Sequence, residues 1–174
     1  MSESLTIREA REHELEAVSE LMLDAYREYE SVLEPPAWEA YAADVADVRG
    51  RLEHSVLLVA ERDGELAGAQ TFYAPGAATP VRDDWAYMRL LAVAPAGRRQ
   101  GTARALVEHA IERARGLEAA AIAIHTTPWM AAALKLYLSL GFERAERFDF
   151  EPPGASFEGR PLRVMAYRLA LRST

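Results

Sequence analysis

Apolar and polar residues alternate over Leu5–Glu9 (LTIRE), the two-residue period of a half-buried strand. From Glu14 the period changes. Leu15, Val18, Met22, Ala25 and Tyr29 recur at three- and four-residue steps and predict an amphipathic helix. Pro35 and Pro36 interrupt it, and Trp38, Tyr41, Val45, Val48 and Leu52 mark a second helix. Residues 56–61 read as a strand, Asp63-Gly64 as a hairpin turn, and residues 66–73 as the return strand. Residues 74–84 carry Pro, Gly and charges and predict a loop.

The second half is more apolar. Residues 85–93 form a long run without clean alternation, as expected of a strand covered on both faces. An arginine-rich loop follows, then a helix with Ala103, Leu106, Val107, Ala110, Ile111 and Ala114 on one face and Gly116 as its C-cap. Residues 119–125 predict another buried strand. Thr127-Pro128 reads as the N-cap and first turn of a helix over 129–140 that stops at Gly141. Residues 143–150 predict a strand, 151–161 a loop, and 162–169 the last strand, the candidate sheet edge for a homodimer. The order βααβββαβαββ predicts one α/β domain over 1–174. Its sheet is mixed and mainly antiparallel, with six or seven strands, a central parallel pair and helices on both faces.

Composition narrows the class. The 174 residues are half hydrophobic and 27% charged, which suits a folded core. No apolar run approaches the ~18–20 residues that span a bilayer. The polar start, MSESLTIREAREHE, does not read as a signal peptide, and a cytoplasmic protein is expected. Cysteine is absent, which removes disulfides, thiolate metal sites and a cysteine nucleophile. His13, His54 and His109 show no metal-ligand spacing, so no metal is expected. A net charge of −7 argues against nucleic acid as a partner, yet six arginines fall between Arg89 and Arg115.

That local charge surrounds the strand–loop–helix at 93–110. Such a unit presents backbone N–H groups at the positive end of a helix dipole, where anions bind. Arg98, Arg99 and Arg104 add charge, and Gly101 and Ala103 are small enough to let a pyrophosphate approach. No G-x-G-x-x-G or G-K-[ST] motif is present, and no G-x-S-x-G elbow supports hydrolase chemistry.

Two motifs in this strand order resemble the GNAT superfamily of acyl-CoA-dependent N-acyltransferases. The first is Arg98-Arg99-Gln100-Gly101-Thr102-Ala103 after Val93-Ala94-Pro95, similar to the Q/R-x-x-G-x-G/A acyl-CoA signature after V-x-P. The second is the helical Tyr137 leading into Gly141-Phe142. The resemblance implies that Arg98, Arg99, Gln100, Gly101, Thr102, Ala103 and Arg104 hold the pyrophosphate of acetyl-CoA. It implies that the backbone of Leu91, Ala92 and Val93 pairs with the pantetheine, and that Tyr137 is the general acid for the departing thiolate. Two positions depart from the family pattern. Met130 stands where many members carry a pantetheine-contacting asparagine, and Tyr87 where many carry a glutamate base. Tyr87, His125, Thr126 and Glu34 are the candidates to face the substrate. The implied reaction is acetyl transfer from acetyl-CoA to a primary amine of a small molecule or peptide, by direct attack on the thioester. A non-catalytic acyl-CoA-binding domain and an acyltransferase using longer chains are the alternatives.

Overall fold

A computed structural model describes residues 4–172. The first three residues of the polar N-terminal stretch therefore lie outside the described residues. In chain order the elements are β1 (Leu5–Glu9), α1 (Leu15–Tyr26), α2 (Pro35–Ala46), α3 (Val48–Arg51), β2 (Val56–Arg62), β3 (Glu65–Tyr73) and β4 (Trp85–Val93). They continue with α4 (Thr102–Gly116), β5 (Ala121–Thr126), α5 (Ala131–Ser139), β6 (Glu143–Arg144), β7 (Ser156–Phe157), β8 (Arg160–Pro161) and β9 (Met165–Ala170). Seven strands follow the order β1-β2-β3-β4-β5-β9-β6, and β7-β8 is a separate small hairpin. The β4–β5 pair is parallel, and β1–β2, β2–β3, β5–β9 and β6–β9 are antiparallel. This is the predicted mixed α/β class.

The chain forms two compact units. One comprises the described part of Met1–Phe72 together with Arg89–Glu112. In it β2 and β3 form the expected hairpin. Asp63 (φ 50°) and Gly64 (φ 86°) both take the left-handed backbone that a two-residue turn requires. Helix α1 buries Leu15, Val18, Met22, Ala25 and Tyr26, the stripe its periodicity predicts, while Tyr29 falls in a 3-10 turn beyond it. The prolines open α2 rather than merely interrupting α1, as suits the first turn of a helix. The single helix predicted over 38–52 is two. Asp47 leaves helical geometry, its carboxylate accepts from the Gly50 amide at 3.0 Å, and α3 starts afresh. Buried Arg51 donates to the Asp44 and Val45 carbonyls and so satisfies the end of α2. At the β1–α1 junction, Glu14 accepts from Arg8 at 2.6 Å and from the Arg11 amide at 2.7 Å. The Arg8 guanidinium holds the Glu14 carboxyl down at about 2.

The other unit comprises Tyr73–Met88 and the described part of Arg113–Thr174. The start of β4 pairs with β5 from Trp85↔Ala121 to Met88↔Ile124. Strand β9 lies between β5 and β6, so residues 162–169 are not a free sheet edge: Met165–Ala170 pair with β5, and Tyr167 and Arg168 also pair with β6. The strand predicted over 143–150 stops at Arg144. The Asp149 carboxylate accepts from Arg144 at 2.7 Å and from the Ala166 amide at 2.9 Å. A side chain thus replaces a ladder bond, residues 146–148 wind into a 3-10 turn, and the Phe150 backbone forms an isolated bridge with Val164. The loop at 151–161 contains the β7–β8 hairpin.

Two helix boundaries also differ from expectation. Thr127 does not cap α5, because residues 127–130 form a turn closed by Met130 N to Thr127 O at 3.1 Å, and the helix begins at Ala131. Gly116 is the last helical residue of α4. The left-handed residue is Glu118 (φ 56°), with Ala119 N bonding Ala114 O at 3.0 Å and Glu118 N bonding Arg115 O at 2.9 Å. That bond pair is a Schellman stop with a non-glycine at its left-handed position.

Candidate active site

In the first unit the arginine-rich loop after β4 follows a specific backbone path. Past Val93, Ala94 donates to Ala67 O at 2.9 Å, and Pro95–Gly97 makes one 3-10 turn. Arg99 (φ 62°) and Gly101 (φ 77°) then take left-handed conformations, and α4 begins at Thr102. The first bond of its ladder runs from Ala105 N to Gly101 O at 3.0 Å, so the amides of Thr102, Ala103 and Arg104 precede it. Successive amides around left-handed residues, ahead of a helix dipole, form a concave anion receptor. A Cβ at Gly101 would meet nothing within 4 Å, so the space over this amide is open and its φ alone demands glycine.

The loop is held from below. Arg62, at the end of β2, donates to Gln100 O at 2.9 Å and to the buried Thr102 hydroxyl at 3.3 Å. Gln100 spends its side chain on Ala96 O at 3.2 Å, which makes it a brace for the loop. Gly68 on β3 passes so close beneath that a Cβ would stand 2.8 Å from Ala92 O and 3.1 Å from the side chains of Thr102 and Leu106. The exposed arginines differ in their commitments. Arg98 pairs with Glu28 at 3.0 Å and Arg104 with Glu108 at 3.6 Å, while Arg99 forms no ion pair among the described residues.

Upstream, Leu90 is buried at φ 56°, a conformation costly for a bulky side chain and characteristic of strained functional backbone. The β4–β5 pairing ends two residues before it, at Met88. The Leu91 carbonyl accepts from the Tyr26 hydroxyl at 3.0 Å. Glu34 is exposed at the start of α2 and makes no capping bond. Nearby, Tyr29 is pushed up to about 12, mainly by burial, so its hydroxyl stays protonated at neutral pH.

In the second unit, two candidates meet. The Tyr87 hydroxyl lies 2.8 Å from His125 Nδ1, and His125 Nε2 lies 2.8 Å from the Phe148 carbonyl. A carbonyl only accepts, so Nε2 carries the proton and Nδ1 accepts from the tyrosine. Tyr73 packs on Tyr87 and Phe150 on His125, with ring centroids 5.9 and 5.1 Å apart. Thr126 ends β5 buried, and its hydroxyl finds no hydrogen-bond partner among the described residues; the Thr127 hydroxyl is in the same state. Met130 is half-buried at the N-cap of α5.

Tyr137 has a structural duty. Gly141 (φ 92°) is the left-handed residue of a second Schellman stop, with Phe142 N bonding Tyr137 O and Gly141 N bonding Leu138 O, both at 3.1 Å. The Tyr137 and Phe142 rings pack at 5.5 Å, the apolar contact that accompanies such a stop. The spacing from Tyr137 to Gly141-Phe142 is therefore what this helix end needs, whatever else the phenol does.

Sequence reasoning missed Tyr26, Arg62, Gly68, Leu90 and Phe148. Gly68 alone left a signal, as a glycine inside an apolar strand. Among the described residues no cluster of His, Asp and Glu could hold a metal, and no helix is long and apolar enough to cross a membrane.

The family model described as the acetyltransferase (GNAT) family matches residues 15–142. Among solved structures, a "putative acetyltransferase" from Salmonella typhimurium, solved with its cofactor acetyl-CoA, is similar at TM-score 0.71. It shares 22% identity over 98% of this chain and 96% of its own. A ribosomal-protein-alanine N-acetyltransferase from Brucella melitensis matches at TM-score 0.67 with 23% identity, over 95% and 99% of the two chains. An N-acetyltransferase from Staphylococcus aureus Mu50 matches at TM-score 0.70 with 20% identity, over 97% and 99%. These likenesses show the fold. No curated protein matches the sequence.

Proposed function

The chain belongs to the acetyltransferase (GNAT) family, and from that premise we propose that it moves the acetyl group of acetyl-CoA to a primary amine by direct attack on the thioester. The observation that carries the reading is the left-handed pair Arg99 and Gly101 ahead of α4, which turns a run of amides toward open space. Those amides bind the pyrophosphate, and Arg99 adds an uncommitted charge. Arg98 joins only by releasing Glu28. The backbone at Leu91, Ala92 and Val93, beyond the β4–β5 pairing, orients the pantetheine as an added strand would be oriented. Bound acetyl-CoA supplies an activated acyl group, and the protein manages protons.

The Tyr87–His125 pair is the base. As an ammonium gives its proton to the Tyr87 oxygen, Tyr87 passes its own to His125 Nδ1. The imidazolium so formed keeps its Nε2–H on the Phe148 carbonyl. This pair takes the role the family commonly gives a glutamate. Tyr137, a phenol, protonates the departing thiolate as the C–S bond breaks, and the second proton, shed by the attacking nitrogen as the amide forms, restores the phenol. The absence of cysteine agrees with transfer that has no acyl-enzyme.

The test is a calorimetric titration of acetyl-CoA into the intact protein and into Gly101→Glu, followed by amine-dependent thiol release. Saturable one-site binding that the variant loses supports the loop assignment. No binding by the intact protein overturns the function.

A further inference from the structure

We infer a second anion site, a cleft of about 630 Å3 in the unit of Tyr73–Met88 and Arg113–Thr174, with the chemistry to bind a small molecule carrying two or more phosphate groups. Five arginines line it, at 82, 144, 147, 168 and 172, in a chain of net charge −7. Two of them are committed. Arg82 pairs with Asp84 at 2.9 Å, and Arg144 pairs with Asp149 at 2.7 Å while also donating to Ala166 O. Arg147, Arg168 and Arg172 form no salt bridge among the described residues, and Glu146 is the remaining acid in the lining. Arg172 is also drawn toward Asp84, which leaves the five guanidiniums set against Asp84, Asp149 and Glu146, an excess of positive charge that a bound anion would balance.

Aromatic rings hold two of these arginines in place. Arg168 lies 5.5 Å from the Trp85 ring centroid and Arg147 lies 5.0 Å from that of Phe148. The two rings pack edge to face at 5.1 Å. A guanidinium stacked on a ring keeps its N–H edge available, and that planar fork matches phosphate oxygens in pairs. The volume falls within the ~300–1,000 Å3 of small-molecule sites. Trp85 is only 7% exposed, so its ring positions an arginine rather than stacking on a base, and recognition is of charge. The cleft shares no residue with the loop at 98–103, and none of its residues enters the proposed transfer reaction except through the Phe148 carbonyl.

The test is calorimetric titration with inorganic tripolyphosphate against three proteins. These are the intact chain, the loop variant Gly101→Glu, and the cleft variant Arg147→Gln with Arg172→Gln. The expected result is saturable binding that persists in the loop variant and weakens about tenfold or more in the cleft variant, since each lost charge-assisted bond matters. The melting temperature of the anion-free cleft variant reports its folding. Should it fall, the single variant Arg168→Gln must show the same weakening. No saturable binding by the intact protein overturns the site, as does binding that Gly101→Glu abolishes and the cleft variants keep. Citrate or orthophosphate binding as tightly as tripolyphosphate overturns the polyphosphate class.

Discussion

The proposed phosphate loop and the proposed Tyr87–His125 base are built from different materials. The loop is made of backbone, its donors being amides aimed by two positive φ angles and the start of a helix. The pair is made of side chains from two strands, joined by one hydrogen bond at His125 Nδ1, while Nε2 donates to the Phe148 backbone carbonyl. A backbone site tolerates changes of side chain and fails when its conformation is forbidden. A side-chain site fails with the loss of one atom.

The largest expected effect therefore falls on the pair. Tyr87→Phe removes a single oxygen, and His125→Gln removes the titrating ring. Each should lower the turnover number by about 10²–10⁴, the usual range of general-base catalysis, with acetyl-CoA affinity unchanged by calorimetry. If turnover is kept, the pair is structural and the contrast collapses.

At the loop, Gly101→Glu should weaken acetyl-CoA binding by roughly a hundredfold or more, because it forces a side chain into left-handed backbone and sets a carboxylate against the phosphates. Arg98→Ala should change affinity by less than about fivefold, since that arginine already holds Glu28 on an exposed surface. The reverse ranking would mean that side-chain charge rather than backbone makes the site.

Stability offers smaller tests of the same contrast. Gly68→Ala should cost about 1–3 kcal/mol by urea denaturation, as its methyl meets the Ala92 carbonyl and the first turns of α4. The Arg8–Glu14 pair is the side-chain counterpart. The folded carboxyl, near 2, lies below its unfolded value, so its contribution is complete above about pH 4.5 and is lost as pH falls toward 2. Glu14→Gln should destabilise at pH 7 by about 1.5–3 kcal/mol, the range for charged hydrogen bonds, and flatten that acid limb. Glu118→Gly, relieving the left-handed residue after α4, should stabilise by roughly 0.5–1 kcal/mol in thermal melts.

Much of the fold was legible because its signals are local. The alternation in β1, the stripe of α1, Asp63-Gly64 and the apolar run of β4 each act within a few residues. The errors share a cause as well. Asp47, Asp149 and Thr127 are short polar residues that can bond the backbone in several ways: Asp47 takes the Gly50 amide three residues on, Asp149 takes the distant Ala166 amide, and the Thr127 hydroxyl bonds nothing among the described residues. Placing the last strand at an edge failed because strand order depends on pairings between distant segments.

The sequence by itself determined where the chain turns, which faces are apolar, and that a glycine sits where the loop before α4 goes left-handed. These follow from the conformational limits of single residues and from short-range periodicity. Only the tertiary structure decided that His125 accepts from Tyr87 while donating to Phe148, that Gly68 makes room for α4, and that arginines outnumber carboxylates around one cleft. Each depends on groups far apart in the chain arriving at hydrogen-bonding or contact distance, and no local pattern encodes such a meeting.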